Sequence, residues 1–355
     1  MSETTQITET LQRIFAAHAE SGNEPASALD HALWKDLQAN GFDLLGVPEQ
    51  IGGSGRMTEA LTAAIEIAAF HGARIPFAER GFLAGWLLGE AGIQLPRGQI
   101  TVATDEAMLE AERGTWCISG RLEGVPWARH CDAILMLARH RTAPMLAVID
   151  RHAVGIEFRP GQNLAGEPRD TLLLESVPVN MAAPLPSDVD IGALRLRGAL
   201  LRAVQMTGAA RAVLEATTQY VTERKQFGRT LDHFQAVQHH LVELAAEVVA
   251  MRVSAASALQ CLEIDVQDAV FGIAAAKASI SASAYCVARI GHQLHGAMGF
   301  AQEHRLGTAT TRLWSWREEF GNEDFWRERL AGIFLEDTQA DLWGLVADHY
   351  APHQQ

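Results

Sequence analysis

The sequence predicts an α+β multidomain chain: an N-terminal helical domain over residues 1–98, a middle β-domain over 99–183 and a C-terminal helical bundle over 184–355. Three observations predict it. Apolar residues recur at helical spacing in the first segment, short β-branched runs bounded by turn residues fill the second, and long Ala-rich helical stretches make up the third. The order helix, strand, helix bundle is uncommon and narrows the architecture before any motif is considered.

In the first segment, Thr8 to His18 and His31 to Asn40 carry spaced apolar residues, and Gly41 follows Asn40 as a helix C-terminus favours. Val47-Pro48-Glu49-Gln50-Ile51-Gly52-Gly53-Ser54-Gly55 is a turn-rich loop, because Pro and clustered Gly cannot continue a helix. Met57 to Phe70 and Arg80 to Glu90 read as further helices. In the second segment, strands are expected at Ile100 to Ala103, Thr115 to Ser119, Ala133 to Ala138, Pro144 to Ile149, Ile156 to Arg159 and Thr171 to Val177, forming an antiparallel barrel or sandwich. In the third, Ser187 or Asp188 is placed to cap a long helix running towards Arg224. Leu231 to Cys261, Val266 to Leu294 and Arg305 to His349 are helical, and their alanines let helices approach closely.

Composition bounds the function. The chain has 355 residues, 48% hydrophobic and 20% charged, which are ordinary globular values. A formal charge of −14 without a basic block argues against nucleic acid as the main partner, since that binding rests on phosphate neutralisation. The most apolar region, Ile280 to Gly299, is interrupted by Arg289, His292 and Gln293, so no membrane span is expected. Met1 to Glu9 has neither a basic nor an apolar leader region, which makes the cytoplasm the default location. Cys117, Cys131, Cys261 and Cys286 lack metal-ligand spacing and read as free thiols; no metal is expected.

Four stretches, in order along the chain, resemble the acyl-CoA dehydrogenase family. Val47 to Gly55 is similar to the family's N-terminal Pro-Glu/Gly-Gly turn, and Asn163-Leu164-Ala165-Gly166 through Val177-Pro178-Val179 to the exit from its β-domain. Glu223-Arg224-Lys225-Gln226-Phe227-Gly228 with Phe234-Gln235-Ala236-Val237-Gln238 resembles its R-x-x-FG and FQ-x-x-Q signature. Gln293-Leu294-His295-Gly296-Ala297-Met298-Gly299-Phe300 resembles its Q-x-x-G-x-x-G-F loop. The resemblance implies a helical domain, a β-barrel and a four-helix bundle, with FAD between barrel and bundle. It also implies an oligomer in which the ADP half of each FAD is held by the neighbouring subunit, an acyl-CoA substrate, and an electron-transfer flavoprotein as acceptor.

Arg224 offers a planar fork of donors suited to pyrophosphate oxygens. Gln226, Gln238 and Gln293 can give and accept hydrogen bonds, and Phe227 and Phe234 present apolar faces to an adenine or to a neighbouring helix. Gly296 and Gly299 permit close backbone approach to phosphate, and His295 just before them can donate to phosphate or pack. Trp127 can stack near a flavin or anchor the β-domain core. The blander reading of the Arg224 group is a helix–helix contact.

The catalytic carboxylate is the departure. Abstraction of the proton next to a thioester carbonyl needs a carboxylate held against the substrate. Counted without gaps from Phe300, the family's Glu-Gly pair falls on Phe320-Gly321. The alternative family position, counted back from Gln226-Phe227-Gly228, falls on Gly198, where Arg195, Arg197 and Arg202 are the charged neighbours. Glu319 is the nearest carboxylate, one residue or about 100° of helix from the expected base. The segment Ile100 to Glu106 passes straight to Gly114 without the family's flavin-contacting insert.

The resemblance, together with these departures from it, implies a subunit of an FAD-dependent acyl-CoA dehydrogenase that supplies the ADP-binding face of FAD to a catalytic partner. The alternatives are a self-sufficient homo-oligomeric enzyme using Glu319, and a flavin-dependent oxygenase or non-enzymatic scaffold on the same fold.

Overall fold

A computed structural model describes residues 3–19, 25–55, 58–112, 114–262, 266–300 and 305–336. Helix α1 spans Glu3–Ala19 and α2 His31–Ala39. Asp30 starts α2, its carboxylate accepting from Leu33 N at 2.9 Å, and Asn40 with Gly41 (φ 72°) ends it. Helix α3 is Thr58–Phe70. A π-helical stretch, Glu79–Ala84, runs on into α4, Gly85–Ala91. From the π-helical stretch, buried Arg80 donates to Asp43 O (2.9 Å) and Gly98 O (2.6 Å), tying the helices to the start of the sheet.

The strands are β1 (Ile100–Val102), β2 (Ala107–Glu112), β3 (Thr115–Pro126), β4 (Ala133–His140), β5 (Ala143–Asp150), β6 (Ile156–Arg159), β7 (Arg169–Pro178) and β8 (Met181–Pro184). They form one sheet in the order β6-β7-β3-β2-β4-β5-β8, with β1 also on β4. Side chains from one face, among them Leu109, Ile118, Leu122, Ile134, Met136, Ala147, Leu172 and Val177, make an enclosed apolar interior. The opposite faces of β4 and β5, with Leu135, Leu137, Leu146 and Val148, join the helical core. Burial on both faces explains why these two strands read as continuous apolar runs.

Asp190 caps α5 (Ile191–Glu223), its carboxylate accepting from Ala193 N at 2.8 Å. A two-residue hairpin follows, β9 (Lys225–Gln226) on β10 (Arg229–Thr230). Then come α6 (Gln235–Cys261), α7 (Val266–His295), a 3₁₀ turn Gly296–Phe300, α8 (Arg305–Glu318) and α9 (Glu323–Glu336). Helix α7 packs against α5, α6, α8 and α9. A single core runs through the N-terminal helices, one face of the sheet and the bundle.

Several expectations are corrected. The sheet is not purely antiparallel, because β4 runs parallel to β1 and to the start of β2. Strand β2 lies where no strand was expected: Ala-Met-Leu-Glu-Ala-Glu is helix-forming by composition and is held extended by pairing with β3. The cap of α5 is Asp190, not Ser187 or Asp188. The region Ala269–Gly299 is long and apolar enough, by length and composition, to cross a membrane (mean hydropathy 1.4), although Arg289 and His292 interrupt it; in the fold it is the core helix of the bundle. The expected helix beyond residue 336 and Met57 lie outside the described residues.

Candidate functional site

The two positions at which the family's carboxylate was sought meet in space. Phe320 ends α8 in the left-handed conformation (φ 59°), which turns its ring back onto the first half of α5. There it lies directly on Gly198: a Cβ added to Gly198 would stand 2.1 Å from the Phe320 ring. Only glycine leaves room for this aromatic side chain. Arg202, one turn further along α5, places its guanidinium 5.6 Å from the same ring.

Glu319 points away from this contact into a chain of ion pairs. Arg169 of β7 donates Nε to Oε1 at 2.9 Å and Nη2 to Oε2 at 3.1 Å. Arg202 donates Nε to Oε2 at 2.7 Å, and Asn163 donates Nδ2 to Oε1 at 3.2 Å. Burial alone would raise the pKa of this carboxyl, but Arg169 and Arg202 outweigh it and hold it at about 2. A carboxylate so engaged is a poor proton acceptor.

The chain extends in both directions. Arg202 is 1% exposed and also donates Nη2 to Glu79 Oε1 at 2.9 Å. Arg169 reaches Glu167 at 3.2 Å, and Glu167 accepts from Arg312 (3.0 Å) and from Trp316 Nε1 (3.1 Å). Three carboxylates and three guanidiniums thus alternate, from the N-terminal helices through the sheet to the bundle. Lys277 of α7 closes the arrangement, donating Nζ to Trp316 O (3.0 Å) and Arg317 O (2.7 Å) at the end of α8. Burial lowers its pKa to about 7.

Beside Phe320 lies a cavity of about 480 Å³ between sheet and bundle, lined by Thr104, Asp105, Glu123, Leu194, Arg195 and Phe325 among others. Its acids are Asp105, Glu123 and Glu319, and the guanidinium of Arg195 lies over the Phe325 ring at 5.4 Å. Trp127 does not line it. Its ring is 3% exposed, packs in the helical core and stands 6.0 Å from His130. The flavin-stacking alternative for Trp127 therefore gives way to core packing.

The other expected residues gather at one end of the bundle, where α5 and α7 finish and α6 begins. Tyr220 and His295 stack at 4.5 Å with 22° between their planes, fixing the ends of α5 and α7 to each other. His295 is 2% exposed, and its Nδ1 bonds Gly291 O at 2.8 Å, so it packs. Gly299 is likewise a packing glycine, since a Cβ there would stand 2.9 Å from Leu306. Arg224, Gln226, Gln238, Gln293 and Gly296 are exposed. Phe227 sits at the hairpin tip (φ 52°) with Gly228 (φ 81°) and is 89% exposed. Its ring meets Phe234 edge-on at 6.1 Å, and Arg229 lies 4.2 Å over Phe234. Gln238 donates to Asp232 O at 2.9 Å.

Sequence reasoning missed the ion-pair chain. One signal was present: Arg202 interrupts Leu200-Leu201 and Ala203-Val204, and an arginine inside an apolar helical run needs a buried partner.

The profile of the acyl-CoA dehydrogenase C-terminal domain matches residues 196–332. Over 320 residues the chain is 26% identical to the acyl-CoA dehydrogenase IpdE2 of Mycobacterium tuberculosis, with 86% of this chain and 88% of that protein covered. Among solved structures, the ChsE4–ChsE5 complex from Mycobacterium tuberculosis superposes with a TM-score of 0.84 at 20% identity, covering 96% of this chain and 99% of the matched chain. A variant of the Tcur3481–Tcur3483 steroid ACAD gives 0.80 at 24% identity, covering 95% and 99%. With helices, sheet and bundle in this order, the chain has the fold of the acyl-CoA dehydrogenases, and its residues 196–332 match that family's C-terminal domain.

Proposed function

We propose that this chain is a non-catalytic subunit of a heteromeric FAD-dependent acyl-CoA dehydrogenase. It lends the ADP-binding face of FAD to a partner subunit that carries the base and dehydrogenates the acyl-CoA between its α and β carbons. The observation that carries the reading is the Phe320 ring lying on Gly198: both family positions for the carboxylate are occupied without one. A self-sufficient enzyme using Glu319 would have to release Arg169, Arg202 and Asn163, and would start from a carboxylate held at about 2.

FAD, the cofactor that the family implies, accepts the β-hydride when bound. The residues of this chain fit it unevenly. The open guanidinium of Arg224, the amides of Gln226 and Gln293 and the exposed Phe227 suit a pyrophosphate and an adenine. The cavity beside Phe320, with Asp105, Glu123 and Glu319 in its lining and Trp127 withdrawn, suits poorly a ring that gains negative charge on accepting a hydride.

A partner subunit has a surface to meet. Val242, Ala246, Val249, Ala250, Val253 and Ala256 line one exposed face of α6, which begins at the same bundle end. A continuous apolar stripe in water is the mark of a contact surface. The named two-protein assemblies among the matched structures favour a heteromer, and an electron-transfer flavoprotein is the acceptor this reading expects.

The test is flavin content by visible absorbance, for the chain alone and after co-expression with a neighbouring dehydrogenase-like subunit. The reading expects a colourless chain alone and an active yellow complex with about one FAD per pair of subunits. A chain that alone holds one FAD per subunit and bleaches with an acyl-CoA overturns it.

A further inference from the structure

Where α1, α2 and the turn after α3 face α5 and α8, the fold leaves a cavity of about 360 Å³, open to solvent at Arg305 and Thr308, that the flavin reading does not use. Its charge is unlike that of the whole molecule. The chain carries −14, yet among the described residues the lining holds the guanidiniums of Arg74, Arg305 and Arg312, beside the imidazoles of His18 and His71, against one carboxylate, Asp30. Asp30 is already engaged, capping α2 through Leu33 N and facing His18 at 3.9 Å.

The cationic wall is built. Arg305, Thr308 and Arg312 recur at helical spacing along one face of α8. Arg312 is 2% exposed and fixed, with Nε on Glu167 Oε1 at 3.0 Å and Nη2 donating to Ala73 O at 3.1 Å. Its Nη1 lies at the cavity floor, 3.1 Å from where a Cβ would stand on Gly72, whose φ of +72° also favours glycine. His71 shows the field. Burial, then Arg305, then Arg211 push its pKa down to about 4, so its ring stays neutral among the guanidiniums. Phe15 and Phe70 supply apolar surface. A second cavity of about 310 Å³ shares Phe70, Ala212 and Arg305 and adds Gln219 and Tyr220 together with the carboxylates of Glu215 and Glu223, so it extends the space for an uncharged part of a ligand and leaves the anionic group to the first cavity.

We propose that this cavity binds a small organic phosphate, its phosphoryl group against Arg305, Thr308 and Arg312 and its organic part on Phe15 and Phe70. Several converging donors suit the three oxygens of a phosphate monoester, and the combined space matches that of ordinary small-molecule sites.

The probe is adenosine 5′-monophosphate, titrated calorimetrically into the full chain, with adenosine and citrate as controls. The expected result is a dissociation constant for the monophosphate below about 1 mM, weakened about tenfold or more in Arg305→Glu and unchanged in Arg224→Ala. Adenosine should not compete. Absence of binding, equal binding by Arg305→Glu, or loss of binding in Arg224→Ala overturns the proposal; the last outcome would assign the nucleotide to the bundle end instead. Citrate binding as tightly as the monophosphate would overturn the choice of phosphate over carboxylate. Arg305 is exposed, so its substitution leaves the fold intact.

Discussion

Arg202 and Arg224 belong to the same helix and to opposite kinds of surface. Arg202 is 1% exposed and shared between Glu79 and Glu319, and its guanidinium lies over the Phe320 ring. Arg224 ends α5 in solvent, its backbone N–H still donating to Tyr220 O. Desolvating a guanidinium costs several kcal/mol unless carboxylates meet it, so the first half of α5 tolerates Arg202 only as part of a balanced chain of charges. At the other end the arginine, amides and aromatic ring are left facing outward. One end of α5 is completed from within the chain, and the other presents a surface for something else to complete.

The largest expected effect tests the closed end. Arg202→Ala leaves Glu79 and Glu319 buried without their shared cation and should cost about 3–5 kcal/mol in urea unfolding. A loss below about 1 kcal/mol, the range of an exposed pair, would mean that the chain of charges is open to water and that the contrast with Arg224 is false.

A pH titration sharpens the same comparison. Lys277 faces Trp316 O, Arg317 O and Ser281 Oγ, with Glu319, Glu318 and Glu323 raising its pKa and Arg202 lowering it. Burial dominates and brings it from 10.5 to about 7. Between those values the unfolded chain binds a proton that the folded chain does not. Stability should therefore rise with pH across this window, by up to about 1.4 kcal/mol per pH unit, and that slope should vanish in Lys277→Met. An unchanged slope would assign it to other groups.

A smaller effect probes the contact between Phe320 and Gly198. Gly198→Ala drives a Cβ against the Phe320 ring and should cost about 1–3 kcal/mol. Adding Phe320→Ala should recover most of the loss due to the new methyl, because the two changes share one space. Strict additivity would show that the ring moves aside freely.

The fold was legible where pattern and punctuation agree. Helix α2 with its Asn40-Gly41 end, strand β6 and the alternation of α5, α6 and α7 follow from spacing and turn residues. Strand β2 was not, since its composition favours helix and only pairing with β3 makes it a strand. The site divides in the same way. Gly198 and Phe320 were counted from separate motifs and meet in space, because short motifs carry their register. Glu319 was singled out for nearness in sequence, but its partners Arg202 and Arg169 lie 117 and 150 residues away, and no local pattern announces them. Trp127 and His295 carry side chains that serve core and ligand equally well, and only burial decides between those roles.

The smallest effect on stability carries the most weight for function. Arg224→Ala removes an exposed side chain, so unfolding should change by no more than about 0.5 kcal/mol. If the open end of α5 holds a pyrophosphate, the same substitution should weaken flavin binding by the co-expressed complex about tenfold or more, the scale of a lost charge-assisted contact. Stability and flavin content would then separate cleanly at Arg224, whereas Arg202→Ala should lower both together by unfolding the chain. Full flavin content in a stable Arg224→Ala complex would remove the ADP-face assignment and leave the exposed Phe227 hairpin to be explained as protein contact alone.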